Sequence, residues 1–245
     1  MIASFSGGRS SGLMLHRLLG DDVLPIFCNT GKEHPATLDF VRDVEAHWDT
    51  QIVWLEYAGK KAYRVVDYGT ASRNGEPFAQ LIEDRNFLPN MVARFCTSEL
   101  KVLTIERYLA DIGVMDYEMA VGIRGDEPRR LAKMRSKENY VCPLDDVTEA
   151  DVQAFWDNQP FDLALPKAGV NLYSNCDLCF LKGGKIKQSI IRENPSLADW
   201  WAGQEARIGG RFRSDQPSYA DMRLIASEHD DLFGYDETIP CFCGD

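Results

Sequence analysis

Two stretches of this chain carry residues whose types and spacing could do chemistry. The first is Ser6-Gly7-Gly8-Arg9-Ser10-Ser11. Its glycines let the backbone turn tightly and approach a ligand, and its serine hydroxyls sit at the head of a predicted helix, where N–H groups and the helix dipole favour an anion. The tract is a candidate phosphate cradle, with a flexible strand exit as the alternative; its spacing matches neither the Walker loop nor the GxGxxG dinucleotide turn. The second is Cys176-Asp177-Leu178-Cys179, which places two thiols within chelating distance on one turn. Cys96, near a predicted helix start, and Cys241 and Cys243, in the stretch CFCGD, could complete a four-cysteine site from three segments. In an extended tail Cys241 and Cys243 point to the same side, so one could ligate a metal while the other stays a nearby thiol. Spacing alone leaves zinc and iron both open.

Other charged and polar residues gather around these stretches. Arg124, Arg129 and Arg130 flank Asp126 and Glu127 just after a predicted strand, where a planar guanidinium could clamp phosphate or sulfate; a solvated charged loop is the alternative. Lys101, Lys182 and Lys185 add positive charge beside the cysteines. Cys28 ends an apolar run and reads as a small buried hydrophobe, and Cys142, before Pro143, reads as structural. Of the four histidines, His34 faces the expected pocket, while His16 and His47 suit packing or surface roles. Without a Ser-His-Asp pattern or a GxSxG elbow, simple hydrolase chemistry is set aside.

The elements that must position these residues follow from periodicity. Residues 1–5, 23–28, 52–55 and 117–123 read as strands; helices follow the 4–12 tract (with Leu13, Met14, His16, Arg17, Leu18 and Leu19 at helical spacing), Pro35 (with Phe40, Val41, Val44 and Trp48 on one face) and residue 98. Strands alternating with helices predict an α/β fold with a doubly wound, mostly parallel sheet. Ligands then lie beyond the carboxyl ends of the strands, which selects residues 6–11, 29–33 (with Thr30 and Gly31) and 122–130 (with Gly122). Helices are predicted at 152–156, 186–192, 197–206 and 219–228. The expected organisation is a nucleotide-binding α/β domain over 1–148, with a helical, cysteine-bearing C-terminal region over 149–245 packed on it. The stretches 69–77 and 209–217 are the expected loops.

Composition bounds the function. The 245 residues, 44% hydrophobic, suffice for a packed core. No apolar run reaches the length of a membrane span and the first residues do not form a signal peptide, so the expected location is cytoplasmic. The seven cysteines, an odd number, suit metal ligands, reactive thiols or buried small residues better than a disulfide framework. A formal charge of −11 argues against a broad basic face for nucleic acid, while leaving room for a local basic groove.

Several blocks occur together in one order: SGGRSS, FCNTGKEHPAT, RFCTSELK, GIRGDEPRR, CPLDDVTEADVQAFW and LYSNCDLCFLKG. Their succession resembles the PP-loop adenine nucleotide alpha-hydrolase superfamily and, within it, the phosphoadenosine phosphosulfate (PAPS) reductase family, most of all its shorter phage-type members. The resemblance implies a Rossmann-like fold and an adenylyl nucleotide, PAPS, its 3′-unphosphorylated analogue APS, or ATP, held by Ser6, Gly7, Gly8, Arg9, Ser10, Ser11, Thr30, Gly31, Gly122, Arg124 and Arg129. It favours a 4Fe-4S cluster over zinc on Cys96, Cys176, Cys179 and Cys241, with magnesium as a further candidate ion. It also implies Cys243, Arg124 and Lys101 as catalytic residues, and a thiol or thioredoxin-like reductant as partner. Two departures stand out: Ser10 occupies a position where many members carry aspartate, and Cys96 is single where cluster-bearing reductases have adjacent cysteines. The resemblance implies a reductase first. Two other readings stand beside it: an ATP-dependent sulfurtransferase acting on DNA or tRNA, and a non-catalytic nucleotide or redox sensor.

Overall fold

The computed structural model describes residues 1–166, 173–174 and 176–227. Among them six strands form one sheet: β1 (Ile2–Ser4), β2 (Leu24–Cys28), β3 (Val53–Tyr57), β4 (Tyr63–Val66), β5 (Met119–Val121) and β6 (Tyr140–Val141), in the order β4-β3-β2-β1-β5-β6. Neighbours pair in parallel, apart from the antiparallel β3 and β4. The chain builds outward from β1 to β4, then returns to add β5 on the other side of β1. Strand order reverses there, and the crevice above such a reversal is where an α/β sheet receives ligands. Ser4 lies opposite Ile26 on one side and Val121 on the other, so the turns leaving β1, β2 and β5 emerge side by side.

The helices are α1 (Arg9–Leu18), α2 (Pro35–Trp48), α3 (Glu76–Arg85), α4 (Phe95–Thr97), α5 (Leu103–Asp111), α6 (Pro128–Arg135), α7 (Glu149–Asp157), α8 (Gly184–Glu193), α9 (Leu197–Ile208) and α10 (Tyr219–Ser227). A π-helical turn, Ser98–Val102, joins α4 to α5. Strand alternation sorts the core into two layers. Ala3, Phe5, Phe27, Trp54 and Ala120 pack with α1, α2 and α7, whereas Ile2, Ile26, Cys28, Leu55 and Met119 pack with Ile105 and Leu109 of α5. The boundaries of α2 follow its sequence: Pro35 opens it, the His34 ring accepts from the Ala36 amide, and Asp49 closes it in a left-handed conformation at φ 47°.

The C-terminal helices bury a second core, in which Phe180, Trp201, Phe212 and Tyr219 meet Phe78 and Leu81 of α3. Glu205 sits inside it and accepts from the amides of Phe212 (3.1 Å) and Tyr219 (2.8 Å); burial raises its carboxyl above the usual range. Helix α7 shares the core of α1: a Cβ on Gly12 would lie 2.6 Å from the Trp156 ring, and Trp156 Nε1 donates to the Arg9 carbonyl at 2.9 Å. No helix of the described residues is long and apolar enough to cross a membrane.

Periodicity does not register β4, β6, α3 or α6. Strand β4 lies at an edge with Arg64 and Val65 exposed, so it lacks the apolar run of a buried strand. Helix α6 presents two buried hydrophobic residues, Leu131 and Met134, amid four basic ones. The expected loop at 69–77 ends in the first turn of α3, where Gly75 at φ 82° precedes Glu76 and Pro77. Replacing Trp156 with alanine is expected to destabilise the protein by about 3–5 kcal/mol, since it empties the α1–α7 contact and frees a buried carbonyl. Urea denaturation monitored by circular dichroism gives the value.

Candidate functional site

The turn after β1 is built by its own side chains. Ser11 Oγ accepts from the amides of Ser6 (3.2 Å) and Gly8 (3.3 Å), donates to the Gly8 carbonyl (2.9 Å) and stands 2.9 Å from Ser6 Oγ. Gly7 holds φ 77° and has no room for a side chain, because a Cβ would lie 2.6 Å from Thr37 Cγ2. Gly122, leaving β5, is confined in the same way: its Cβ would lie 2.7 Å from Ser11 Cα. Gly7, Gly8, Arg9 and Ser10 then line a cavity of about 290 Å³ at the N-terminus of α1, with Glu33, Thr37, Lys101, Arg124, Glu127 and Glu149 around it.

Arg124 crosses to the loop: its Nη1 donates to Ser10 Oγ at 3.2 Å while Nε bonds Asp126 Oδ1 at 2.9 Å. The carboxylate of Asp126 is held below its usual range by the Glu149 amide and by Arg124, against the opposing effect of its own desolvation. Arg9 borders the cavity, but its guanidinium is engaged with Asp162 and with Gln153 (2.8 Å). Arg129 is exposed and lies on neither this wall nor the next one.

A second cavity of about 310 Å³ opens on the α5 side of the sheet. Val102, Ile105, Met119, Val121, Met134 and Tyr140 give it an apolar lining. Among the described residues its wall carries five basic side chains, Arg94, Lys101, Arg130, Lys133 and Lys137, and no carboxylate. Arg130 is buried, pairs with Glu127 through Nη1, and leaves Nε without a hydrogen-bond partner among the described residues. An orphaned buried donor of this kind fits a ligand that brings an acceptor. Sequence reading selected Arg124 and Arg129 for the nucleotide and did not single out Lys133 or Lys137, which line this cavity; Lys133 lies on α6 and Lys137 just beyond its end.

Cys96, Cys176 and Cys179 come together on a third, small cavity of about 30 Å³, with Thr30, Arg94, Thr97, Lys101, Phe78 and Trp201. Thr30 faces this cavity rather than the phosphate side: its hydroxyl donates to the Glu33 carboxylate at 2.8 Å and lies 3.7 Å from Cys176 Sγ. Gly31, at φ 75°, packs against Gly75. Among the described residues no group of three Cys, His, Asp or Glu is arranged to hold a metal ion. Cys241 and Cys243 lie outside the described residues. Lys101, on the π-helical turn, borders all three cavities.

Among the described residues, Cys28, Cys142, His34 and His16 are placed as packing groups. Burial pushes the Cys28 thiol up to about 12, against the opposing pull of Lys101, and burial also raises Cys142. His34 caps α2 and meets the edge of Tyr173, with burial lowering its pKa. His16 lies edge-on between Trp48 and Phe155.

Residues 1–163 match the phosphoadenosine phosphosulfate reductase domain. The chain is 34% identical over 196 residues to an uncharacterized nin region protein of Escherichia phage lambda, covering 74% of this chain and 66% of that protein. It is 27% identical over 143 residues to an uncharacterized protein of Methanocaldococcus jannaschii, covering 57% of this chain and 26% of that protein. The chain thus spans just under two thirds of the phage relative's length and about a quarter of the archaeal one's.

Thiol reactivity checks the placement of Cys28. With its pKa near 12, its thiolate fraction at pH 8 is roughly one in ten thousand, so iodoacetamide should leave it unmodified until the chain is unfolded in urea. Peptide mass spectrometry reads this directly; rapid native-state labelling at pH 8 would contradict the buried placement.

Proposed function

Because this chain belongs to the phosphoadenosine phosphosulfate reductase family, we propose that it is an enzyme that holds an adenine nucleotide across the first two cavities and performs sulfur chemistry beside its cysteines. The observation that carries this reading is Lys101, a single cation bordering the phosphate-type loop, the cationic apolar cavity and the cysteine cavity. The loop at the head of α1, with Arg124 reaching Ser10, suits the charged 5′ end of the nucleotide. The apolar walls of the second cavity suit a base, and its five basic residues suit a further phosphate on the ribose.

With PAPS as substrate the step balances as follows. A cysteine thiolate, assigned to Cys243 by family resemblance, attacks the sulfur of the phosphosulfate, and the S–O bond to phosphate breaks. The adenosine 3′,5′-bisphosphate leaves with the bonding pair, and the enzyme carries a thiosulfonate. An external dithiol reductant then attacks the cysteine sulfur; sulfite departs, and the second thiol of the reductant resolves the mixed disulfide. Arg124 and Lys101 would stabilise the charge on the departing phosphate.

Cys96, Cys176 and Cys179 border the third cavity beside the hydroxyls of Thr30 and Thr97; they are not arranged as a metal site among the described residues, but their thiols are the donor type of the sulfur-rich centre that the family resemblance implies. Cys96, Cys176 and Cys179, with Cys241, would hold a 4Fe-4S cluster. When bound, it would supply a buried centre able to exchange electrons. The chain's own residues beside it would position the nucleotide and exclude water: Trp201 and Phe78 line the cavity, and Lys101 would face the leaving group.

The cationic wall also favours a second reading, an ATP-dependent sulfurtransferase acting on a nucleic acid. Anaerobically purified protein separates the two. Sulfite released from PAPS in the presence of a dithiol is the expected result, whereas pyrophosphate released from ATP on addition of DNA or tRNA would replace it with the second reading. Lys101→Ala should lower kcat/KM for sulfite release roughly 10²–10³-fold, the usual cost of removing one donor from a developing anion. Lys133→Ala combined with Lys137→Ala should raise KM with little change in kcat, because in this reading those residues would meet only the distal end of the nucleotide.

A further inference from the structure

The turn after β2 and the CxxC turn are joined by a buried ion pair that lies on none of the three cavity walls. Lys32 Nζ stands 2.7 Å from Asp177 Oδ2, with the two side chains 7% and 8% exposed. The lysine stem is threaded between Gly75 and Trp200: a Cβ on Gly75 would lie 2.7 Å from Lys32 Cδ and 2.6 Å from Trp200, and Nζ lies 5.1 Å from that ring's centroid. The other oxygen of Asp177 accepts from Trp201 Nε1 at 2.8 Å and from the Leu178 amide at 2.6 Å. Backbone contacts run alongside: the Asp177 amide donates to the Lys32 carbonyl at 2.7 Å, and Glu33 bridges to Cys176 in antiparallel fashion.

A buried ion pair is a poor source of net stability, because desolvation of both charges offsets most of their attraction and apolar replacements often hold a fold equally well. What the pair supplies is a fixed distance and direction between two loops. One of those loops carries Glu33, which lines the first cavity and whose carboxylate accepts from the Thr30 amide (2.9 Å) and hydroxyl (2.8 Å). The other carries Cys176 and Cys179 on either side of the paired aspartate. We propose that Lys32 and Asp177 are positioning residues that make the CxxC turn follow the 29–34 turn, so that filling the first cavity orders the cysteines. This inference rests on the reading that a nucleotide occupies that cavity.

Hydrogen exchange with mass spectrometry on the full chain tests it, comparing peptides covering 30–37 and 176–182 with and without saturating PAPS or ATP. The second peptide contains the amides of Asp177, Cys179 and Lys182, which bond to the carbonyls of Lys32, Cys176 and Cys179. In the unaltered protein, nucleotide should slow exchange in both peptides at least about fivefold, the lower end of ordinary coupling between sites. In Lys32→Met/Asp177→Leu the effect on 30–37 should persist and that on 176–182 disappear. Lys32→Met/Asp177→Asn, which keeps an acceptor for Trp201 and Leu178 and leaves no buried ammonium unpaired, should behave alike and serves if the first double variant does not fold. Nucleotide-dependent slowing at 176–182 that survives in a variant still protected at 30–37 would overturn the proposal. Protection of 30–37 alone in the unaltered protein would overturn the coupling and leave the nucleotide reading standing. Protection of neither peptide would remove both.

Discussion

The close passage of Gly122 beneath Ser11 governs the rest of the site. A Cβ there would meet backbone, 2.7 Å from Ser11 Cα and 2.8 Å from its nitrogen, and backbone cannot swing aside as a side chain can. On the opposite side Gly7 is pressed against Thr37, Phe27 and Val41. The turn is therefore clamped between the exit of β5 and the first turns of α2, while Ser11 ties its ends together from within. Its geometry is set by packing before any ligand arrives, which is the condition under which backbone donors act at full strength, with no reorganisation at the moment of binding.

The same clamp fixes where Lys101 can act. Helix α5 packs beneath β2 and β1 through Ile105 and Leu109, so the segment leading into it must cross the carboxyl edge of the sheet. The π-helical turn at Ser98–Val102 lies at that crossing. A π turn shifts the facing of residues relative to a regular helix, and such turns recur at functional sites. Cys28 anchors the crossing by donating to the Lys101 carbonyl at 3.8 Å; a thiol kept protonated by burial remains a donor there.

The fold was legible wherever burial on both faces produced an apolar run, as in β2 and β3, or a helical stripe, as in α2. It was illegible where the element is half-solvated, as in β4, or held by tertiary context, as in α6. For the candidate site, residue type and position after a strand selected the 6–11 turn and Arg124, which border the first cavity, and cysteine spacing selected Cys96, Cys176 and Cys179, which border the third. Side-chain direction was not legible. Arg9 and Thr30 lie in selected segments, but one guanidinium is committed to Asp162 and the other hydroxyl turns to the cysteine side. The Lys32–Asp177 pair was hidden because 145 positions of sequence separate the two residues and only the tertiary fold brings them together.

Net charge misleads at the scale on which ligands are bound. A formal −11 describes the whole surface, whereas fields from individual groups fade within a Debye length of about 8–10 Å at physiological salt. Within that distance the two large cavities differ in kind: the first mixes Arg124 and Lys101 with Glu33, Glu127 and Glu149, and the second is basic without a carboxylate among the described residues. A uniformly negative ligand would meet repulsion in the first cavity except where loop amides and Arg124 answer it, and attraction throughout the second. For the proposed nucleotide, this asymmetry favours one orientation over its reverse: the reactive 5′ end is held by a few directed donors, the distal end by diffuse positive charge. Carboxylates beside the reactive end also disfavour an additional anion there, so an anionic nucleophile such as a thiolate would approach from the cysteine side, past Lys101.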